Sequence, residues 1–343
     1  MRERIISLLL ITGLACANDR PTAEACNGVT FLGFYANENE AFVGIRYGKD
    51  TGGQNRFKPP QMYHYGRNET VHATEPGPMC PQPLGGFEQP IVHDYSEDCL
   101  RLNIMRPNGT TAESRLPVMV FLYGGSFFFG SKDDFASEAG GMILQSVANG
   151  HPIMHVRINY RLGIFGFAQS EALRKEGSEN AGLRDQRLAL EWIKDNIEAF
   201  GGDPSKVTIS GQSSGGVAVG MQIVAYGGTR PAPFQRGICQ SQLLEQGVSA
   251  NFTQNAMKRT LNATICNQTD IQSVETVACL RNLSAHDLFE ATNATWLDTP
   301  EANLGDEWLP SVDGDFVPAL PSELVNSGRF NNVSMIIGWT DDD

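Results

Sequence analysis

The sequence predicts an α/β fold: a mostly parallel sheet with helices on both faces. Three observations carry that expectation. LPVMVFLY (116–123) is a continuous apolar run, and HPIMHVRINYR (151–161) and KVTIS (206–210) read as further strands; rich in Val, Ile and Met, they suit a parallel sheet covered on both faces. Between them NAGLRDQRLALEWIKDNIEAFGG (180–202) repeats its apolar residues at helical spacing. The run KVTIS then passes directly into GQSSGG (211–216), at the carboxyl end of a strand, where open α/β sheets bind their ligands.

The elements follow in order. MRERIISLLLITGLACA (1–17) pairs two arginines with an apolar stretch from Ile5 to Leu14 and small residues Ala15 and Ala17, the pattern of a secretory signal peptide. FLGFYANENEAFVGIRYG (31–48) alternates and breaks as a small N-terminal antiparallel sheet does. Residues 58–90, rich in proline and glycine, predict an irregular loop. CLRLNIMRP (99–107) is a strand, and LPVMVFLY is another that runs into Gly124-Gly125. The long helix places Leu183, Leu190, Trp192, Ile193, Ile197 and Phe200 on one side and ends at Gly201-Gly202. Residues 215–226 predict the next helix, and RGICQS (236–241) and VSMIIGW (333–339) two further core strands. Nothing between them reads as a linker, so residues 18–343 are expected to form one domain. Its stretch 241–325, polar and weakly periodic, is expected to be a helical insertion covering the site.

Composition narrows the partners. A chain of 343 residues can bury a large core, and a net charge of −13 argues against nucleic acid and anionic membrane surfaces as partners. After the N-terminal stretch no apolar run is long enough to span a bilayer, so no transmembrane segment is expected. Eight N-x-S/T sequons, at Asn68, Asn108, Asn251, Asn262, Asn267, Asn282, Asn293 and Asn332, suit a secreted, extracellular glycoprotein. Cysteine spacing offers no C-x-x-C pair and no His–Cys cluster, so neither a metal nor another cofactor is expected. Cys80 with Cys99, and Cys266 with Cys279, are the nearest pairs in sequence, and an oxidising compartment would let near pairs bridge. Cys239 follows an apolar run and is expected to be buried and inert.

Chemistry centres on Ser213. A G-x-S-x-G sequence is weak by itself, because glycine–serine loops are common. A strand before it and a helix after it turn the same residues into a nucleophile elbow, with Gly211 and Gly215 allowing strand and helix to approach closely. Acyl transfer also needs backbone N–H groups aimed at a developing oxyanion. One donor would follow the nucleophile, at Ser214. The glycine turn Tyr123-Gly124-Gly125-Ser126 after an earlier strand offers the others. Both motifs in the right order make Ser213 a nucleophile. SFFFG (126–130) reads equally as the wall of an apolar acyl pocket or as a packed core corner.

With these residues in place the sequence resembles the type-B carboxylesterase/lipase family, whose members are α/β-hydrolases. The likeness runs through AFVGIRYG, NRFKPP, SEDCLRLNIMRP, VFLYGGSFFFG, INYRLGIFGF, the block from Asn180 to Gly216, and IIGWTDDD. It implies a serine hydrolase of small-molecule or lipid carboxylic esters, acting through an acyl-enzyme on Ser213. Gly125, Ser126 and Ser214 would form its oxyanion hole. Ser126 stands where the family usually has a third glycine. The resemblance further implies disulfides Cys80–Cys99 and Cys266–Cys279, and structural ion pairs Arg56–Glu97 and Arg161–Asp185.

The family's acidic triad member, five residues beyond the glycine of a strand ending like IIG, falls on Asp343, an aspartate where glutamate is more usual. Asp341 and Asp342 are substitutes, and a solvated acidic tail is the alternative. The imidazole should follow the acid in chain order. Of His64, His72, His93, His151, His155 and His286, only His286 follows Ser213, in what reads as an exposed helix. His151 and His155 flank a strand in packing or edge positions. The expectation is a chain that stops short of its own base and lacks the C-terminal part of the fold, with its activity open. The competing function is a non-catalytic secreted binding or adhesion-type glycoprotein of the same fold. A cholinesterase is disfavoured, because the stretch 80–99 has no tryptophan and Gln212 replaces the glutamate of those enzymes.

Overall fold

The computed structural model describes residues 20–82, 94–134, 138–241, 243–244, 251–297 and 307–341. Its strands, in chain order, are β1 (Thr22–Glu24), β2 (Thr30–Leu32), β3 (Phe34–Ala36), β4 (Asn39–Arg46), β5 (Thr70–His72), β6 (Arg101–Pro107), β7 (Leu116–Leu122), β8 (Met154–Ile158), β9 (Gly202–Gln212), β10 (Arg236–Gln240) and β11 (Ser334–Gly338). Its helices are α1 (Gly140–Ala148), α2 (Gly163–Phe167), α3 (Glu171–Glu176), α4 (Ala181–Asn196), α5 (Ser214–Val224), α6 (Phe252–Asn262), α7 (Val274–Asn282), α8 (Ala285–Leu297) and α9 (Pro321–Asn326).

The apolar runs meet in one sheet, ordered β11-β10-β9-β7-β8-β6-β4-β3. The five strands from β11 to β8 are parallel, and β6, β4 and β3 continue the sheet antiparallel. Val118, Val120 and Leu122 of β7, Val156 and Ile158 of β8, and Val207 and Ile209 of β9 share one buried cluster with Leu183, Leu190 and Ile193 of α4 and Val217 and Met221 of α5. α4 continues into a 3-10 turn, Ile197–Phe200, closed by Gly201 in the left-handed conformation, as its sequence predicts. Strand β11 is exposed throughout and pairs with β10, with Ile336 66% and Trp339 70% accessible.

Two expectations are corrected. VSMIIGW, expected as a core strand, forms the exposed β11, paired with β10 and buried at none of its five residues. The stretch 31–48 does not form a separate antiparallel sheet. β3 and β4 make a hairpin across left-handed Asn37 and Glu38, and β4 pairs with β6, so both join the large sheet. The small sheet is instead β1-β2-β5, antiparallel between β1 and β2 and parallel between β2 and β5. The chain changes sheets at Gly33, where a Cβ would lie 2.4 Å from Ala41 O. Short β5 also interrupts the stretch expected to be irregular loop, of which residues 83–90 lie outside those described.

Charged groups inside the fold are paired. Arg161 donates through Nε and Nη2 to the two carboxylate oxygens of Asp185, each at 2.7 Å, and its backbone N–H adds a third bond. Arg56 grips Glu97 in the same forked way and gives Nη1 to the carbonyls of Leu280 and Leu283, tying the segment before β6 to the end of α7. Removing one member of such a buried pair leaves an uncompensated charge and costs about 3–5 kcal/mol. Disulfides join Cys80 to Cys99 and Cys266 to Cys279. Cys239 is buried, and desolvation pushes its thiol up to about 11; Cys26 is exposed and free.

His155 lies within β8 rather than beside it, and is buried on the sheet face with Met119 and Phe121. Its Nδ1 has no hydrogen-bond partner among the described residues. Burial, followed by the nearby Arg157 charge, holds the imidazole down at about 3, against an ordinary 6.5. The unfolded chain therefore takes up a proton at this histidine below about 6.5, while the folded chain does not until about 3. Stability contributed by neutral His155 is intact above 6.5 and is lost as the pH falls below it, at up to ~1.4 kcal/mol per pH unit. A His155→Phe variant is expected to lose less stability than the parent between pH 6.5 and 4.5 in urea unfolding. Parallel pH profiles for the two proteins would contradict this assignment.

Candidate active site

Strand β9 delivers Ser213 to the carboxyl edge of the sheet, and α5 begins at the next residue. Ser213 has φ 55° and ψ −131°, a conformation that a side chain rarely adopts and that persists only where its surroundings enforce it. The enforcement is visible on both sides. A Cβ at Gly211 would lie 2.3 Å from the Gly215 carbonyl, and one at Gly215 would lie 2.2 Å from Leu122 O. Strand, turn and helix therefore approach as closely as bare backbone allows. The Ser213 N–H donates to Gln240 O at 3.0 Å, while its carbonyl accepts from Gly216 and Val217 to start the helix. Its hydroxyl occupies the N-cap position yet makes no capping bond. The hydroxyl of half-buried Ser213 thus stands without a capping bond at the N-terminus of α5, whose dipole favours negative charge.

The second motif folds over this turn. Gly124 lies against the elbow: a Cβ there would sit 2.5 Å from Gln212 O and 3.1 Å from Ser213 Cβ. Gly125, Ser126 and Phe127 follow with φ of 100°, 53° and 56°, three successive left-handed residues, two of them carrying side chains. The Gly125 carbonyl accepts from Phe128 and Phe129. Among the described residues, the N–H groups of Gly125 and Ser126 have no acceptor, and that of Ser214 is in the first turn of α5, where none exists within the helix.

Three anchors hold the turn. On its N-terminal side Tyr123 and Tyr160 stack at 4.3 Å and exchange hydrogen bonds, each hydroxyl donating to the other's carbonyl. On its C-terminal side buried Gln82 brackets Gly130, accepting from its N–H at 2.8 Å and donating to its carbonyl at 2.9 Å. In the middle the Phe127 N–H donates to Ser214 Oγ at 3.2 Å, and Gly163 N–H donates to the Phe127 carbonyl. SFFFG, left open by the sequence, divides: Phe127 and Phe128 are buried in the core, Phe127 against Phe167, while Phe129 is half-buried beside Gly125.

Ser213, Gly125, Ser126 and Ser214 are thus gathered in one place. Asp343, Asp342 and His93 lie outside the described residues, and Asp341 is exposed beyond β11. No described side chain hydrogen-bonds Ser213 Oγ. His286, exposed on α8, approaches Tyr95 Oη at 3.4 Å, and His64, His72 and His151 are exposed elsewhere. Among the described residues no group of three or more His, Cys, Asp or Glu side chains could hold a metal ion.

The carboxylesterase family model matches residues 27–343. The chain belongs to the carboxylesterase family. It is 50% identical over 98% of its length to a secreted lipase of Arthroderma benhamiae. It is 39% identical over 92% of its length to VdtD of Byssochlamys spectabilis, an inactive carboxylesterase-like protein. It spans 60% and 55% of the lengths of these relatives. Among solved structures, Aspergillus niger EstA superposes with a TM-score of 0.75 at 29% identity, covering 93% of this chain and 59% of that one. A pNB esterase gives 0.77 at 28% identity over 95% of this chain and 64% of its own. The fold is that of the α/β-hydrolases, with the elbow of this carboxylesterase-family chain at the end of its central parallel strand β9.

The close approach at the elbow has a direct consequence. Gly215→Ala must displace Leu122 O and is expected to cost about 1–3 kcal/mol in urea unfolding. Gly141→Ala, in helix α1 with nothing within 4 Å, is expected to be neutral or stabilising by up to ~1 kcal/mol. Equal unfolding midpoints for the two variants would contradict the packing described.

Proposed function

We propose that the protein is a secreted serine hydrolase of neutral carboxylic esters. The observation that carries this reading is Ser213 itself, strained at the β9–α5 turn with Gly124 packed against it, followed by the Gly125 and Ser126 amides that have no acceptor among the described residues. In the proposed reaction Ser213 Oγ adds to the ester carbonyl carbon, and the amides of Gly125, Ser126 and Ser214 receive the negative charge on oxygen. Collapse expels the alkoxide, which takes up the proton that Ser213 lost and leaves as the alcohol. Water then adds to the acyl-serine and releases the acid, restoring Ser213. The deprotonation of Ser213 requires a base within hydrogen-bond reach, which none of the described side chains supplies. Exposed Gln212, without the carboxylate that would draw a cationic ester, supports a neutral substrate. Half-buried Phe129 is the member of SFFFG left to touch the acyl chain.

The second reading is a binding glycoprotein of the same fold. It is favoured by the absence of a hydrogen-bonded base among the described residues and by the likeness to VdtD, which is named inactive. A fluorophosphonate probe separates the two. Hydrolase function predicts stoichiometric labelling mapped to Ser213, together with burst release from a p-nitrophenyl ester. Ser213→Ala is expected to abolish the labelling and lower turnover by ~10³-fold or more. Unlabelled, well-folded protein would leave the binding reading in place.

Secretion is supported by the N-terminal pattern, by the two disulfides and by the likeness to a secreted lipase. No described helix is long and apolar enough to cross a membrane. Asn262, Asn267 and Asn282, on or between α6 and α7, are exposed sequon positions. After secretion from a eukaryotic host, enzymatic deglycosylation is expected to lower the mass and convert these asparagines to aspartate. Unmodified asparagine at all three would contradict their assignment as acceptors.

A further inference from the structure

We propose that the Ser214 hydroxyl is a positioning group for the oxyanion turn, holding the Ser126 amide in line with the nucleophile that precedes it in sequence. The proposal rests on the serine-hydrolase reading and goes beyond it, since that reading uses only the backbone N–H of Ser214.

The turn from Gly124 to Gly130 is anchored at its two ends by groups outside the elbow. Tyr160 holds the start and Gln82 holds the finish. The stretch between them has the least favourable backbone: Ser126 and Phe127 are both left-handed, at φ 53° and 56°, and neither is glycine. A pair of side-chain-bearing residues in this region relaxes to other conformations unless something outside it prevents relaxation. The Gly125 carbonyl, accepting from Phe128 and Phe129, closes the turn from within, and two bonds hold Phe127 from outside it. Gly163 N–H takes the Phe127 carbonyl, and Ser214 Oγ takes the Phe127 N–H.

The second bond differs in kind from the other anchors. Gln82, Tyr160 and Gly163 tie the turn to the surrounding fold. Ser214 ties it to the helix whose first residue it is, directly after Ser213. A hydrogen bond from Phe127 to Ser214 therefore fixes the distance between donor turn and nucleophile, independently of small movements of the rest of the molecule. Ser214 is 4% exposed, so water cannot readily replace its hydroxyl as the acceptor. The location is also where this chain departs from the three-glycine pattern, with Ser126 in place of the third glycine. A side chain at 126 makes the left-handed conformation harder to hold, and the Ser214 hydroxyl lies one residue along to hold it.

Ser214→Ala keeps the backbone N–H of residue 214 and removes only the acceptor. The donors at 125 and 126 stay in the chain but lose their fixed aim. Complete loss of one oxyanion donor costs ~10²–10³-fold in kcat, so a misaimed one is expected to cost on the order of tenfold, with KM within about twofold. Ser126→Gly in the Ser214→Ala background makes the left-handed conformation inexpensive again and is expected to restore part of the loss. The pair is then non-additive in a double-mutant cycle.

The experiment measures p-nitrophenyl ester kinetics on the full chain, well below each variant's melting temperature. The proteins are the parent, Ser213→Ala, Ser214→Ala, Ser126→Gly and Ser126→Gly/Ser214→Ala. Inhibition by an aryl trifluoromethyl ketone, whose adduct places an oxyanion in the hole, is followed in parallel. The expected result is a fall in kcat and a matching weakening of ketone inhibition for Ser214→Ala, with partial recovery in the double variant. Loss of melting temperature with unchanged kcat, or strict additivity, would overturn the positioning role while leaving the hydrolase reading standing. Turnover that survives Ser213→Ala, or a parent without turnover, would remove the hydrolase reading and this proposal with it. Should Ser214→Ala not fold, a Ser126→Gly variant with a ketone inhibition constant below that of the parent would support the proposal, since binding tightens as the strain is relieved, and an unchanged constant would overturn it.

Discussion

The structure depends on how closely two strands and a helix can come together at one point. The carbonyls of Leu122 and Tyr123, at the end of β7, press against Gly215 in the first turn of α5, and Gly211 of β9 presses against the same glycine. Backbone packed on backbone leaves the intervening Ser213 no ordinary conformation, and its φ of 55° is the result. This contact, rather than any side-chain bond, holds Ser213 in a conformation whose hydroxyl makes no capping bond and whose Cβ lies against Gly124.

Strain of this kind survives only in a rigid setting. The setting is supplied by strands buried on both faces and by the paired charges at their ends. Arg161, three residues past the end of β8, locks onto Asp185 of α4, so the loop leaving the sheet is tied to the long helix. Tyr160, one residue earlier, reaches across to Tyr123 and carries that rigidity to the start of the donor turn. Neutral His155 is the cost on the same strand: a polar ring held in a site that cannot tolerate its charge.

Much of this was legible because it was periodic or compositional. A continuous apolar run identified β7, Val- and Ile-rich runs identified β8 and β9, and 3.6-residue spacing identified α4. Glycines beside a serine at a strand end identified the elbow. Less legible was anything decided by a partner distant in sequence. Alternation in 31–48 shows which residues share a face, but it cannot say that β4 pairs with β6, so the hairpin was assigned to the wrong sheet. Gln82 sits in a stretch read as irregular, because an amide that brackets Gly130 by two hydrogen bonds leaves no period. For Ser214 the sequence predicts only the N–H, since a serine in a glycine-rich turn gives no sign of where its hydroxyl points. Membership of the carboxylesterase family, by contrast, was carried by contiguous motifs, and contiguity is what a single sequence preserves.

The central claim is geometric: an anion formed at Ser213 falls within reach of amides already aimed at it. A crystal structure of the protein after reaction with a fluorophosphonate tests this most directly, because the phosphonyl oxygen stands where the oxyanion would. The account predicts phosphorus on Ser213 Oγ and that oxygen about 2.7–3.1 Å from the amide nitrogens of Gly125, Ser126 and Ser214. Phosphorus on another residue, or an oxygen turned to solvent and away from those amides, would contradict it.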